Sequence, residues 1–239
     1  MTIALSGTIQ RNSVISNAAS ISINLTGLNA STLLAINLMW ARNDVTINGP
    51  TMSGGDTVNT TACSRIDHFI NPDHIYSHWI FVQNVQGGAS QTLTVPFSSN
   101  FDQSCGIAVI PLSGCVKSGT FVDGNISDSV TSTSSGVILT SAMTTTAAHS
   151  CIISSVDSDT TPDSWSGITA GYTALRNSVN TWYPSTYNSN GGLINYDVGV
   201  AGNKPFQYNM GSGAGHPAFF NILALLNGPP DTGLAWIRA

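Results

Sequence analysis

Residues 79–97 carry two different patterns of apolar and polar positions. Leu93, Val95 and Phe97 alternate with Thr92 and Thr94, the period-two signature of a strand with one buried face. Upstream, Trp79, Phe81 and Val85 oppose Ile80 and Val82. Apolar side chains on both faces mark a strand in the middle of a packed sheet. Gly87-Gly88 between the two parts tolerates the positive φ of a tight turn, so the stretch reads as a central hairpin.

The same themes recur along the chain. In residues 19–26, Ala19, Ile21, Ile23 and Leu25 point inward, while Ser20, Ser22, Asn24 and Thr26 point outward. Residues 33–42 are apolar on both faces and include Trp40, and residues 106–112 form a continuous apolar run. Ile3, Leu5 and Ile9 alternate near the N-terminus; residues 137–139, 149–156 and 219–226 supply further strands. Residues 67–78 and 117–135 are polar and read as loops, the latter with short edge pairing. About a dozen strands with regularly spaced turn signals predict an all-β fold, a two-sheet antiparallel sandwich of jelly-roll type with long polar loops. Residues 1–227 make one such domain. Gly228-Pro229-Pro230 then stiffens a connector, and residues 228–239 form a separate apolar tail. Leu234, Trp236 and Ile237 in that tail either fold back on the sandwich or dock on a partner, since an exposed Trp-Ile pair invites one.

Composition sharpens this picture. Apolar residues make up 41% and charged residues 8% of 239, the latter far below the ~25% of ordinary domains. Glu is absent and Lys occurs at Lys117 and Lys204 alone, which leaves little material for exposed helices. A net charge of −5 with seven scattered Lys and Arg argues against nucleic acid, which demands a basic stripe. No apolar run of about 18 residues suggests a membrane span. The N-terminus lacks a basic segment followed by an apolar one, so no secretory signal is expected. Cys63, Cys105, Cys115 and Cys151 are too few and too dispersed for a disulfide scaffold. Cys105 and Cys115 flank a predicted strand, whose rise of ~3.3 Å per residue separates them beyond disulfide reach. All four are expected to be buried thiols.

Candidate chemistry is sparse. Asp67-His68, Asp73-His74 and His78 gather possible ligands, and His74 and His78 share a face in either a helix or a strand. The competing reading is that they are turn-capping loop residues. Asp157, Asp159 and Asp163 resemble the alternating carboxylates of a Ca2+ loop, without the central Gly and closing Glu of an EF-hand; Asp is equally at home in turns. No Gly-x-Ser-x-Gly elbow and no facing carboxylate pair point to a hydrolase, so the chain is expected to be non-enzymatic. Residues 165–208 concentrate aromatics among Asn, Ser and Gly. Trp165, Tyr172, Trp182, Tyr183 and Tyr187 could stack on sugars, or serve as ordinary sandwich core. The sequons at Asn24, Asn29, Asn59 and Asn125 follow from composition.

The 84–95 segment Asn-Val-Gln-Gly-Gly-Ala-Ser-Gln-Thr-Leu-Thr-Val, the strand ending in Trp40 and the run Ala-Phe-Phe-Asn-Ile-Leu-Ala-Leu-Leu at 218–226 resemble Gly/Thr-rich β-sandwich domains. Such domains occur in phage tail-fibre, tail-appendage and capsid-decoration proteins. That resemblance implies a structural or host-attachment role on a virion or extracellular surface, as a homo-oligomer among other assembly subunits, with a cell-surface glycan as a possible partner. It carries over no catalytic residues. The alternative is a secreted carbohydrate-binding module or a polysaccharide-acting enzyme.

Overall fold

A computed structural model describes residues 2–15, 17–41, 44–63, 65–70, 73–101, 104–130, 138–158, 165–166, 170–175, 189–210 and 218–228. Within them the regular structure is all strand. The first ten strands are β1 (Ala4–Leu5), β2 (Gln10–Ile15), β3 (Ala18–Leu28), β4 (Leu33–Ala41), β5 (Thr51–Met52), β6 (Val58–Asn59), β7 (Ile66–Ile70), β8 (Asp73–Val82), β9 (Gly88–Phe101) and β10 (Ser104–Ser113). They build two sheets. One is seven-stranded, ordered β1-β10-β4-β8-β6 with β2 also on β10 and β7 also on β8; the other is three-stranded, β3-β9-β5.

The remaining strands are β11 (Val122–Val130), β12 (Ile138–Thr145), β13 (Cys151–Ser158), β14 (Trp165–Ser166), β15 (Thr173–Ala174), β16 (Ser189–Asn195), β17 (Gly202–Met210) and β18 (Ala218–Leu225). They form a five-stranded sheet, β11-β18-β13-β16-β15, and a second three-stranded one, β12-β17-β14. Every pairing is antiparallel. The all-β sandwich read from the sequence is what forms, built from four sheets rather than two.

Period-two alternation explains how the sheets stack. On β4, Leu34, Ile36, Leu38 and Trp40 face the β3-β9-β5 sheet, joining Ile21, Ile23, Leu25, Leu93, Val95 and Phe97 in one core. Leu33, Ala35 and Met39 face the other way, with Trp79, Phe81, Ala108 and Ile110, and meet Cys151, Ile153, Leu223 and Leu225 of the five-stranded sheet. The opposite face of that sheet buries Ile152, Ile222 and Ala224, while Met143 and Phe206 are buried on the last sheet. Phe206 meets the Tyr172 ring edge-on at 5.5 Å. The strands with two apolar faces are therefore central in depth as well as in width.

The hairpin expected at Gly87-Gly88 does not exist. β8 pairs with β4, β6 and β7, whereas β9 pairs with β3 and β5. Both edges of β8 are already taken, so the chain must cross to the other sheet. It does so beside the β3–β4 connection, with Ser31 N–H donating to Val85 O at 2.8 Å and Val85 N–H donating to Thr32 O at 3.0 Å. Gly87 has φ +80°, and a Cβ there would lie 2.8 Å from the Ala30 amide nitrogen. The glycine serves a close backbone crossing rather than a hairpin.

Within the polar stretch 67–78, residues 67–70 and 73–76 pair as antiparallel strands, with Phe69 opposite His74 in the β7–β8 ladder. Residues 122–130, expected to be mostly loop, form β11 along the edge of the five-stranded sheet beside β18. Its Gly, Asn, Ser and Asp positions hide the strand because edge strands need few large side chains. Ala19 is exposed rather than inward, since a bulge between Ala18 and Ser20 shifts the register there. All four cysteines are buried and free. Burial pushes the Cys63 and Cys115 thiols up to about 12. Among the described residues no helix is long and apolar enough to cross a membrane.

Candidate functional site

A groove of about 230 Å³ opens where the edge of the seven-stranded sheet meets residues 44–47, lined by Thr46, Ile47, Thr60, Arg65 and His78. Local sequence builds each wall. Asn59 Oδ1 accepts from Thr61 N–H at 2.9 Å and Ala62 N–H at 3.0 Å, an Asx turn that fixes Thr60 and presents the Cys63 carbonyl. Across the groove, Thr46 N–H donates to Ser98 Oγ at 3.0 Å and Ile47 bridges to Phe97. Arg65 immediately precedes β7 and so stands over β8.

Arg65 is held by three contacts. Its Nη1 donates to Val45 O at 3.1 Å and lies 2.8 Å from Asp44 Oδ1. Its guanidinium carbon sits 4.8 Å from the Tyr76 ring centroid, a cation–π arrangement. Tyr76 in turn stacks on Trp40, centroids 5.4 Å apart, so the arginine is anchored to the core through two aromatic rings. Because Asp44 and Val45 both take Nη1, Nη2 and Nε have no partner among the described residues. The ion pair is partly solvated, with side chains 28% and 68% exposed, and contributes under about 1 kcal/mol.

His78 is half-buried, and its Nε2 lies 3.2 Å from Cys63 O. Burial lowers its pKa; hydrogen bonds to the Cys63 and Thr60 backbone oppose this, and the Arg65 charge adds to it. The net direction is down, so the imidazole is neutral at pH 7. Thr46, Ile47, Thr60, Arg65 and a neutral His78 thus line a groove whose surface is mostly apolar.

Two other polar constellations hold loops. Asp123 accepts from Thr146 N–H, Thr146 Oγ1, Ala147 N–H and Ser150 Oγ. Partial burial pushes its carboxyl up, but these hydrogen bonds outweigh it and leave the pKa lowered. His149 Nδ1 lies 3.0 Å from Asp197 Oδ1, and the Gly199 amide, followed by His149, lowers the Asp197 pKa. An Asp–His pair supplies two of the three members of a hydrolytic triad. The adjacent Ser150, however, directs its hydroxyl to Asp123 and the Ala147 carbonyl, so serine and histidine are uncoupled.

The sequence-derived candidates fall as follows. Tyr172 is half-buried with its ring against Phe206; its hydroxyl is buried without a hydrogen-bond partner among the described residues, and burial pushes its pKa up to about 12. Trp165 begins β14 opposite Met210, with its side chain outside the described residues. Trp182, Tyr183 and Tyr187 lie outside them, as do Leu234, Trp236 and Ile237. Asp157 sits on β13 opposite Phe219 and Asn190, its side chain likewise outside, and Asp159 and Asp163 are not described. His68 and His74 lie on β7 and β8 with side chains outside the described set. Among described residues, no three His, Cys, Asp or Glu side chains gather as a metal site would require. Sequence reasoning missed Arg65. Its available signal was a lone cation beside a histidine-rich stretch in a chain with seven Lys and Arg in all.

Compared with known protein families, characterised proteins and solved structures, the chain matches none.

Proposed function

We propose that the chain is a structural or host-attachment protein on the surface of a virion, such as a phage tail, fibre or capsid-decoration subunit. It works without catalysis, through subunit contacts and exposed loops. The observation that carries this reading is the stack itself. A seven-stranded sheet buried on both faces ties the two halves of the chain into one block, as a load-transmitting surface part requires. Its outermost sheet presents an uncharged face. There Ser22 Oγ and Thr94 Oγ1 lie 3.0 Å apart, and Thr92 Oγ1 donates to Asn24 Oδ1 at 2.8 Å. Oligomer contacts through Leu234, Trp236 and Ile237 belong to the same proposal.

Immunogold electron microscopy of particles from the native source tests it: labelled particles support the role, and label confined to free protein refutes it. Deleting residues 234–239 should convert an oligomer to monomers by light scattering; unchanged mass and unchanged incorporation into particles would discard the docking tail.

A further inference from the structure

We infer that the chain is a tandem duplication: β1–β10 and β11–β18 are two copies of one sandwich unit, and the seam between them is a subunit interface whose partner is a second copy of that unit. Strand order, register and turn geometry carry this, and none of the three depends on a role in attachment.

Strand order comes first. β4 lies between β10 and β8, and β13 lies between β18 and β16. β3 pairs with β9 as β12 pairs with β17, and β5 adds to β9 as β14 adds to β17. β6 borders β8 as β15 borders β16. β1 and β2 together take the place on β10 that β11 takes on β18. The corresponding strands follow one another in the same order along both halves. β7, on the same edge of β8 as β6, has no counterpart among the described residues.

Register matches residue by residue. Ala35 stands between Phe81 and Ile110 in its sheet, as Ile153 stands between Ile194 and Leu223 in the other. All six lie in the one core between the halves. Each half therefore offers the same face to the other, the self-complementary arrangement of an isologous dimer. Asn37 and its counterpart Ser155 both reach Ser77 Oγ, at 3.2 and 3.4 Å.

The turn that enters β4 recurs before β13. Ser31 and His149, each two residues ahead of the strand, have φ of +63° and +60°. In both turns the next residue's hydroxyl donates three residues back, Thr32 Oγ1 to Asn29 O at 2.9 Å and Ser150 Oγ to Ala147 O at 3.1 Å. Val85 N–H donates to Thr32 O and Val198 N–H to Ser150 O, each at 3.0 Å. A positive φ is uncommon outside glycine, so its return at one position of a repeated topology marks a copied unit. Side chains have diverged enough to hide it: Trp79 stands where Gly192 stands, and Ala108 where Asn221 stands.

The test cuts the intact, folded chain at a protease site inserted within residues 117–120, an exposed stretch between the halves. Light scattering of the cut protein should return the mass of the intact chain, and its urea midpoint should become concentration-dependent, as for any two-subunit protein. Ala35→Arg and Ile153→Arg place a charge on the shared face from opposite sides. Each should split the cut protein into two fragments that keep a strand-type circular dichroism spectrum. Ser31→Val and His149→Val, at exposed positions, should both lower the urea midpoint of the uncut chain, because a β-branched side chain is strained at positive φ. This second pair stays decisive if the arginine variants do not fold as uncut chains. Fragments that part on cutting, release by one arginine variant and not the other, released fragments without strand signal, or a midpoint lowered by one valine variant alone would each overturn the inference.

Discussion

Between the β3-β9-β5 sheet and the seven-stranded sheet, contact is aliphatic and aromatic apart from the buried Gln91 on β9. Trp40 lies between Tyr76 and Phe97, and Phe97 meets Phe101 edge-on at 5.5 Å. Between the seven-stranded and five-stranded sheets, similar apolar residues are interrupted by Asn37, Ser77, Ser155 and Asn221, all fully buried. Asn37 Nδ2 donates to Ser77 Oγ at 3.2 Å, and Ser77 Oγ lies 3.4 Å from Ser155 Oγ, linking the two sheets. Asn221, opposite Ser155 in the β13–β18 ladder, has no partner for either amide atom among the described residues. An apolar seam gains from area and tolerates sliding; a polar seam gains less and penalises every register but one. The first seam supplies adhesion, and the second fixes how the C-terminal half sits on the N-terminal half.

The largest effect that sharpens this contrast is cavity formation. Trp40→Ala in the apolar seam and Trp79→Ala in the polar one should each cost about 3–5 kcal/mol, measured by urea unfolding. If Trp79→Ala cost under about 1 kcal/mol, the second seam would not be a packed core. Next is Asn221→Leu. Removing an unpaired buried amide should raise stability by about 1–3 kcal/mol, seen as a higher urea midpoint with an unchanged slope. A loss of stability instead would mean that a buried water completes the amide.

The smallest effect lies at the rim of the first seam. The His78 pKa is lowered in the fold, so below its ordinary value of 6.5 the unfolded chain binds more protons than the folded one. Stability attributable to His78 is therefore present above that pH and declines as pH falls through it. His78→Gln should flatten the pH dependence of the melting temperature between pH 7 and 5; an unchanged profile would show that the imidazole titrates alike in both states.

How much of this could be read from the chain follows from which interactions are local. The alternation of Leu93, Val95 and Phe97 announces β9 because each strand carries its own period. The two-faced apolar pattern of β4, β8 and β10 shows that they are central. It does not show that their second face serves sheets from the far half of the chain, because a buried face has the same composition whichever sheet covers it. Gly87-Gly88 misleads for a related reason: a glycine pair signals close backbone approach, and both a hairpin and a crossover need that. Arg65 and His78 are separated by 13 positions from one another and by about twenty or more from Asp44 and Val45. Their groove exists through the β7–β8 register and the bridge of Ile47 to Phe97, neither of which leaves a local trace.

The central claim is that one sheet, buried on both faces, binds the two halves into a single cooperative unit. Trp40 and Trp79 lie on its opposite faces, each fully buried, so each reports one seam. Two single-tryptophan proteins, with the other four replaced by Phe, should therefore show coincident fluorescence transitions in urea. A Trp79 transition at lower urea than that of Trp40 would mean that the halves separate before they unfold, and would contradict the account.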